Sequence, residues 1–189
     1  MNPAKMVSRL AAGTCNYAGA GRGGEPMYTQ ADIALAVGQV SERAGQLLVL
    51  RKWAGHWDAA AQAELNRLLL LRVVDDLAIP GRWSVRGTPG RLQAMIAAAI
   101  EEVVNPGVCT SCNGQGHALK RTEEGVVQLG CEACGGSGRM AVSGRERARR
   151  CGMLWETFRS PWADRYDAIM RLVDGLIVDS LYQIKRALG

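Results

Sequence analysis

Two short cysteine motifs of identical pattern constrain this chain more than any other feature of its sequence. Each reads CxxC-x-G-x-G, the first beginning at Cys109 and the second at Cys131, with 18 residues between the two cysteine pairs. Cysteines two residues apart let one tight turn aim both sulfurs at a metal ion, and two such turns complete a tetrahedron. The sequence therefore predicts one Zn²⁺ bound by Cys109, Cys112, Cys131 and Cys134.

The predicted zinc is expected to be structural, because four thiolates leave no coordination position for water. A redox dithiol is one competing interpretation of a CxxC pair, but it calls for a βαβ context that this sequence lacks. An unmetallated loop is another. The remaining cysteines, Cys15 and Cys151, are isolated, and in a reducing compartment this layout favours a metal over disulfides.

The residues around the two cysteine pairs predict a small hairpin. Residues 118–121 and 126–129 carry strand patterns on either side of a turn at 122–125. The glycines that follow each cysteine pair permit positive φ angles, so backbone amides can turn towards the sulfurs.

The rest of the chain predicts a mainly α fold, a helical bundle into which the four-cysteine zinc-ribbon or knuckle module is inserted. We divide it into a flexible N-terminal segment (1–29), a helical region (30–107), the zinc module (108–140) and a C-terminal region (141–189). Apolar residues at helical spacing predict helices over 31–53, 59–77 and 89–104, with Asp58 and Thr88 as caps of the last two. The helix at 59–77 is apolar most of the way round, which is typical of a buried helix.

The C-terminal region predicts a helix-turn-helix-like pair. Ser143 is a suitable cap for a helix that reaches about residue 158, and Ser160-Pro161 suits the start of a last, long helix. The turn between them falls at 159–161, although any helical hairpin has the same pattern.

Arginine is concentrated in this C-terminal region and favours a polyanionic partner. Between residues 139 and 171 there are eight arginines and four acidic residues, and the whole chain has a net charge of +5. A planar guanidinium can form two hydrogen bonds to phosphate or guanine. The second helix of a helix-turn-helix enters the major groove by its N-terminal end. That rule nominates a recognition surface of Ser160, Trp162, Ala163, Arg165 and Tyr166.

Other interpretations of the same residues stay open. The arginines can instead form a solvated, partly ion-paired helix face, and we favour a core position for Trp162. His56 and His117 are isolated, and the paired acids at 75–76 and 101–102 are typical of solvated faces. The glycines at 19–24 lack the Lys-Ser/Thr of a phosphate loop. We therefore predict that the protein is not an enzyme and has no small-molecule substrate.

Neither a membrane span nor a signal peptide is predicted. The sequence has no apolar run of the roughly 18 residues that a membrane helix requires. The first dozen residues lack the apolar stretch of a secretory signal. We therefore expect no membrane partner and a cytoplasmic location.

The order and spacing of these parts resemble the lambda-type Q antitermination proteins of lambdoid phages. The resemblance rests on the two CxxC-x-G-x-G knuckles and on a C-terminal helix pair containing Trp162 and Tyr166-Asp167-Ala168, and it extends from about residue 31 to the end. It implies a protein of the bacterial host cytoplasm that binds DNA within a phage late promoter. Such a protein engages host RNA polymerase paused just downstream and lets it read through terminators.

The resemblance also implies that the helix-turn-helix and nearby basic residues contact the DNA. In this sequence the basic residues concerned are Arg145, Arg147, Arg149, Arg150, Arg159 and Arg165. Ser160 of the recognition surface completes the set of candidate DNA-binding residues.

Two other functions remain open. The paired knuckles also resemble half of the zinc region of DnaJ chaperones, which have four such repeats and an N-terminal J domain with a His-Pro-Asp motif that this chain lacks. A chaperone would expose apolar residues near the zinc instead of arginines. The third possibility is a zinc-containing DNA-binding transcription repressor, which would act as a symmetric dimer on a palindromic site.

Overall fold

The computed structural model describes residues 3, 7, 10, 28–54, 57–83, 89–122 and 125–189. It is mainly helical with one two-stranded sheet, and the cysteine module is inserted between two helices, as the sequence predicts. Most of the predicted flexible segment 1–29, including Cys15 and residues 19–24, lies outside the described residues, as do His56 and Thr88. No helix within these ranges has the length and hydropathy needed to cross a membrane.

The N-terminal part of the bundle contains α1 (Gln30–Gly38) and α2 (Arg43–Val49), with a π-helical turn (Leu50–Ala54) after α2. The prediction of one continuous helix over 31–53 was wrong, because the chain leaves the helix after Gly38 and starts another at Arg43. The break lets Val37 pack in a small cluster with Ile184, while Leu48 reaches the main core.

The next two helices are α3 (Ala59–Val73), which continues into a π-helical turn (Val74–Ala78), and α4 (Pro89–Val104). Asp58 caps α3 as predicted, accepting a hydrogen bond of 2.7 Å from the Ala61 amide. The expectation that α3 is buried all round was wrong, since Leu71 is 50% exposed. The helix lies at the side of the bundle, where only one stripe of it packs against α2 and α4.

The C-terminal region contains α5 (Gly144–Arg150), one helical turn (Trp155–Thr157), a π-helical turn (Phe158–Trp162) and the long α6 (Ala163–Ala187). Ser143 caps α5 as predicted. The predicted continuation to residue 158 was wrong. Gly152 adopts a φ of +63°, its amide bonds to Arg149 O, and the Met153 amide bonds to Ala148 O. These are the hydrogen bonds of a Schellman helix end.

Helix α6 is the central element, since it packs against α1, α2 and α4. Its buried side chains are Tyr166, Ile169, Val173, Leu176, Ile177, Ser180 and Ile184. They meet a core from the other helices that is aliphatic, as the scarcity of aromatic residues leads one to expect. The bundle therefore holds the start of α6 in a fixed position beside α4 and α5.

Helices α2 and α6 approach most closely at Gly45. A Cβ atom placed there would lie 2.2 Å from Ser180 Oγ and 2.9 Å from Leu176 O. Ser180 cannot easily move away, because it is buried and its hydroxyl donates to Leu176 O at 2.7 Å. The contact between these helices therefore requires glycine at position 45.

We expect Gly45→Ala to lower the free energy of unfolding by about 1–3 kcal/mol, the usual cost of overpacking a core. Urea denaturation measures the change. The matched control is Gly175→Ala in α6, where an added Cβ meets nothing within 4 Å. That change should stabilise the protein by about 0.5–1 kcal/mol, because alanine favours a helix interior over glycine. Equal stability of Gly45→Ala and the wild type would show that the close contact is not a constraint.

Candidate metal centre

A β-hairpin brings the two cysteine knuckles together. Strand β1 (His117–Thr122) pairs antiparallel with β2 (Gly125–Gly130), and His117 lies opposite Gly130. Both predicted strands are confirmed, each longer by one residue at either end. Because the first knuckle leads into β1 and the second begins after β2, the pairing places the two CxxC turns side by side.

The four cysteine sulfurs form a compact group that could hold one metal ion. All four sulfurs lie within 4.8 Å of one another. Within the described ranges, no other group of three or more His, Cys, Asp or Glu side chains is arranged to hold a metal ion. The Cys109–Cys131 and Cys112–Cys134 sulfur separations are 4.0 and 3.8 Å. A tetrahedral site with metal–sulfur bonds of about 2.3 Å requires sulfurs about 3.8 Å apart. The residues present therefore fit a four-sulfur metal site.

Backbone amides of the glycine repeat point at the sulfurs, as predicted. The Gly116 amide lies 3.3 Å from Cys112 Sγ, and the Gly138 amide lies 3.2 Å from Cys134 Sγ. The equivalence of the two contacts shows that the knuckles have the same local fold. Such N–H···S contacts favour the thiolate form that a metal requires.

The two knuckles also bond to each other through reciprocal contacts. The Cys109 amide donates to Gly138 O at 3.0 Å, and the Cys131 amide donates to Gly116 O at 2.9 Å. A Cβ on Gly116 would lie 2.3 Å from Gly136 O, and one on Gly138 would lie 2.3 Å from Gly114 O. The last glycine of each repeat therefore permits a backbone-to-backbone contact, which explains why the motif extends beyond CxxC.

The thiols of the four cysteines differ in pKa. Hydrogen bonding by the Cys112 amide lowers the pKa of Cys109, whereas burial raises the pKa of Cys131 to about 11. Burial also acts to raise the pKa of Cys134, but the Gly138 amide and the neighbouring thiols lower it to about 7. Metal binding requires deprotonated thiols, so binding would release protons.

The base of the module is closed by short antiparallel pairing. Val108 forms a bridge with Arg139, and the Met140 amide donates to Gly107 O at 2.7 Å. These contacts place the end of α4 beside the start of α5, which are in direct contact. A bound metal would therefore stabilise the connection between the end of α4 and the start of α5.

Arg147, one of the candidate DNA-binding residues, lies in an ion-pair network between helices. Its guanidinium contacts Glu102 of α4 at 2.6 Å and Asp167 of α6 at 2.9 Å, and its side chain is 24% exposed. The Tyr166 hydroxyl donates to Glu102 at 3.0 Å. Tyr166 is fully buried, so its proposed place on an exposed recognition surface was wrong. The core position favoured for Trp162 is confirmed by its 7% exposure.

The other candidate DNA-binding arginines differ in their pairing. Arg149 and Arg150 both donate hydrogen bonds to Glu146. These hydrogen bonds lower the pKa of the Glu146 carboxyl to about 2, and the bond from Arg149 has the larger effect. Arg145 and Arg159 are exposed, and neither forms an ion pair with an acid in the part of the chain that the structure describes.

The last two candidates lie on either side of the start of α6. Ser160 is exposed in extended backbone, and its side chain does not cap α6, contrary to the predicted helix start. The guanidinium of Arg165 stacks at 4.5 Å from the centre of the Trp162 ring.

Reasoning from the sequence missed three residues of this region: Glu102, Trp83 and Arg91. Glu102 was assigned to a solvated face. Its spacing from Met95 and Ala99 places it on the buried stripe of α4, and this spacing could have identified it from the sequence. Trp83 and Arg91 lie near Arg165 and Trp162 only because of the tertiary fold.

Comparison with known proteins adds no relative. A scan against protein-family models found no match, and a search of curated proteins found none either.

Proposed function

We propose that this chain is a phage late-gene transcription antitermination factor. It binds duplex DNA of a promoter, engages bacterial RNA polymerase and promotes read-through of terminators. The observation that carries the proposal is the position of the metal module directly before an arginine-rich helical region. We use the term arginine surface for the arginines of this region outside the Arg147 network, which are the exposed Arg145, Arg149, Arg150 and Arg159 and the half-buried Arg165.

The charge balance of the arginine surface supports a polyanionic partner. Arg149 and Arg150 share the single carboxylate of Glu146, so that group of three retains a positive charge. Arg145 and Arg159 add two exposed guanidiniums that are unpaired within the described residues. Phosphate contacts by such residues supply most of the affinity of a protein for duplex DNA. Arg147 contributes instead to the structure that holds this surface.

We also propose that the metal is one structural Zn²⁺. The sulfur separations match a tetrahedron with zinc–sulfur bonds of about 2.3 Å, and four sulfurs complete the shell. The zinc would stabilise the module and, through its closed base, the contact between α4 and α5. The residues supply no open coordination position, so the metal has no catalytic part in this proposal.

A chaperone function is the second candidate, because the metal module exposes apolar side chains. Val108 and Met140 at its base are 62% and 50% exposed, and Val127 and Leu129 on β2 are 43% and 47% exposed. These residues suit contact with another protein. In the antitermination proposal that protein is RNA polymerase, whereas in a DnaJ-like chaperone it is an unfolded chain.

Transcription with purified bacterial RNA polymerase tests the proposal. The template carries the DNA that flanks this gene, followed by a strong terminator. We expect the wild-type protein to increase read-through several-fold, and we expect deletion of the flanking DNA to abolish the increase. Cys112→Ser should be inactive, because the module that precedes the arginine surface would lose its metal.

The outcomes distinguish the candidate functions. Unchanged read-through together with specific binding to the flanking DNA would favour a repressor. If the protein has neither effect but prevents aggregation of an unfolded protein, the chaperone is favoured and the antitermination proposal is rejected.

A further inference from the structure

Two arginines and two tryptophans from separate parts of the chain stack together at the start of α6. The Arg165 guanidinium lies 4.5 Å from the centre of the Trp162 ring and 5.5 Å from that of Trp83. The Arg91 guanidinium, from the first turn of α4, lies 5.8 Å from the Trp162 ring. All three distances fall within the range of cation–π interaction.

The Trp162 ring is contacted by two positive charges and neutralises neither of them. Neither Arg91 nor Arg165 forms an ion pair with any acid among the residues that the structure describes. Asp164 precedes Arg165 in the chain, yet it too is absent from those ion pairs. Both guanidiniums contact the same Trp162 ring, and an anion bound beside such like charges relieves their mutual repulsion.

Neither guanidinium forms a hydrogen bond to another residue of the described ranges, and Arg165 is half-buried. Stacking uses the faces of a guanidinium and leaves its N–H groups free to bind phosphate oxygens. Arg91 is exposed, and Gly90 beside it has open space where a side chain would be. Both arginines lie in the first turns of their helices, where the helix dipole adds to the attraction for an anion.

We propose that Arg91 and Arg165, positioned by Trp83 and Trp162, form a clamp for backbone phosphates of duplex DNA. This inference rests on the proposed function and extends its DNA contact to the start of α4 and to Trp83. It assigns Arg165 to phosphate binding, in place of the base reading suggested by a helix-turn-helix. The clamp thus positions the protein on DNA without itself selecting the sequence.

Fluorescence anisotropy with a labelled duplex tests the clamp in the full-length, metal-loaded protein. Titrations of the wild type, Arg91→Gln and Arg165→Gln are repeated at several salt concentrations. We expect each variant to bind several-fold more weakly and to lower the slope of log affinity against log salt by about one. The loss should be similar on unrelated duplex sequences, because phosphate contacts carry no sequence information.

Two further variants separate the clamp from general effects. Arg186→Gln removes an exposed arginine near the far end of the same helix and should bind as the wild type does. Trp83→Leu keeps all charges but removes one stacking surface, and it should weaken duplex binding. If the wild type binds the duplex and both Arg91→Gln and Arg165→Gln bind it equally well, the clamp is wrong and DNA binding stands.

Calorimetric titration with inorganic pyrophosphate separates the clamp from the proposed function. If the wild type fails to bind any duplex, the antitermination proposal fails. In that case saturable pyrophosphate binding that is lost in Arg165→Gln would keep the clamp as an anion site. Absence of pyrophosphate binding in the same protein would overturn the clamp as well.

Discussion

Replacing Cys112 with Ser should release the proposed zinc and unfold residues 108–140. Cys112 is 6% exposed, and its sulfur both faces Cys134 and accepts the Gly116 amide. Zinc binding contributes about 10–16 kcal/mol to the folding of small zinc domains, far more than this two-stranded hairpin can supply alone. Elemental analysis should find one zinc per wild-type chain and none in the variant, and limited proteolysis should cleave within the module.

The matched control for this change is Cys151→Ala. Cys151 is also buried, but it lies after α5 and outside the sulfur group. Its replacement should leave the zinc content at one per chain. A folded Cys112→Ser protein that retains its zinc would refute the ligand assignment, and iron in place of zinc would refute the identity of the metal.

Replacing Glu102 with Ala should destabilise the bundle by about 3–5 kcal/mol, the usual result of removing one partner from a buried ion pair. The Glu102 side chain is 10% exposed and joins three helices, because it accepts hydrogen bonds from Arg147 of α5 and Tyr166 of α6. Burial and the nearby Glu102 carboxylate raise the pKa of Tyr166, so its hydroxyl remains a donor. Without Glu102 this buried hydroxyl and part of the guanidinium would lose their acceptor.

The adjacent residue provides the control for Glu102. Glu101 is 47% exposed, and its partner Arg51, although only 13% exposed, also donates a hydrogen bond to Gln62 and so keeps an acceptor, so Glu101→Ala should cost only about 1 kcal/mol. Urea denaturation of both variants gives the comparison. A Glu102 variant no less stable than the Glu101 variant would show that the network contributes little.

The metal site could be predicted from the sequence because its geometry is local. A CxxC turn determines the relative positions of its two sulfurs, and the repeated glycines indicated that both turns are alike. Only the pairing of β1 with β2 was needed to join them, and short strands around a turn have a recognisable pattern. The end of α5 could have been predicted on the same grounds, since Gly152 is a standard helix-ending residue, but the helix was predicted to reach about residue 158.

The roles of the arginines could not be predicted, because they depend on partners distant in sequence. Arg147 differs from Arg145 only in the direction in which it leaves α5, which places Glu102 and Asp167 within its reach. Similarly, no local pattern relates Trp83 or Arg91 to Arg165. The apolar composition of α3 led to the wrong expectation of a buried helix for a related reason. Composition does not reveal that a helix lies at the side of a bundle.

The closed base of the metal module has a consequence for how this architecture can vary. Gly107 and Met140 are hydrogen-bonded neighbours, so the chain rejoins the bundle at the point where it departs. The residues between Gly107 and Met140 therefore form a side branch of the bundle. Its length does not affect the distance between the end of α4 and the start of α5. Such a branch can be lengthened, shortened or exchanged for another while the helices keep their places.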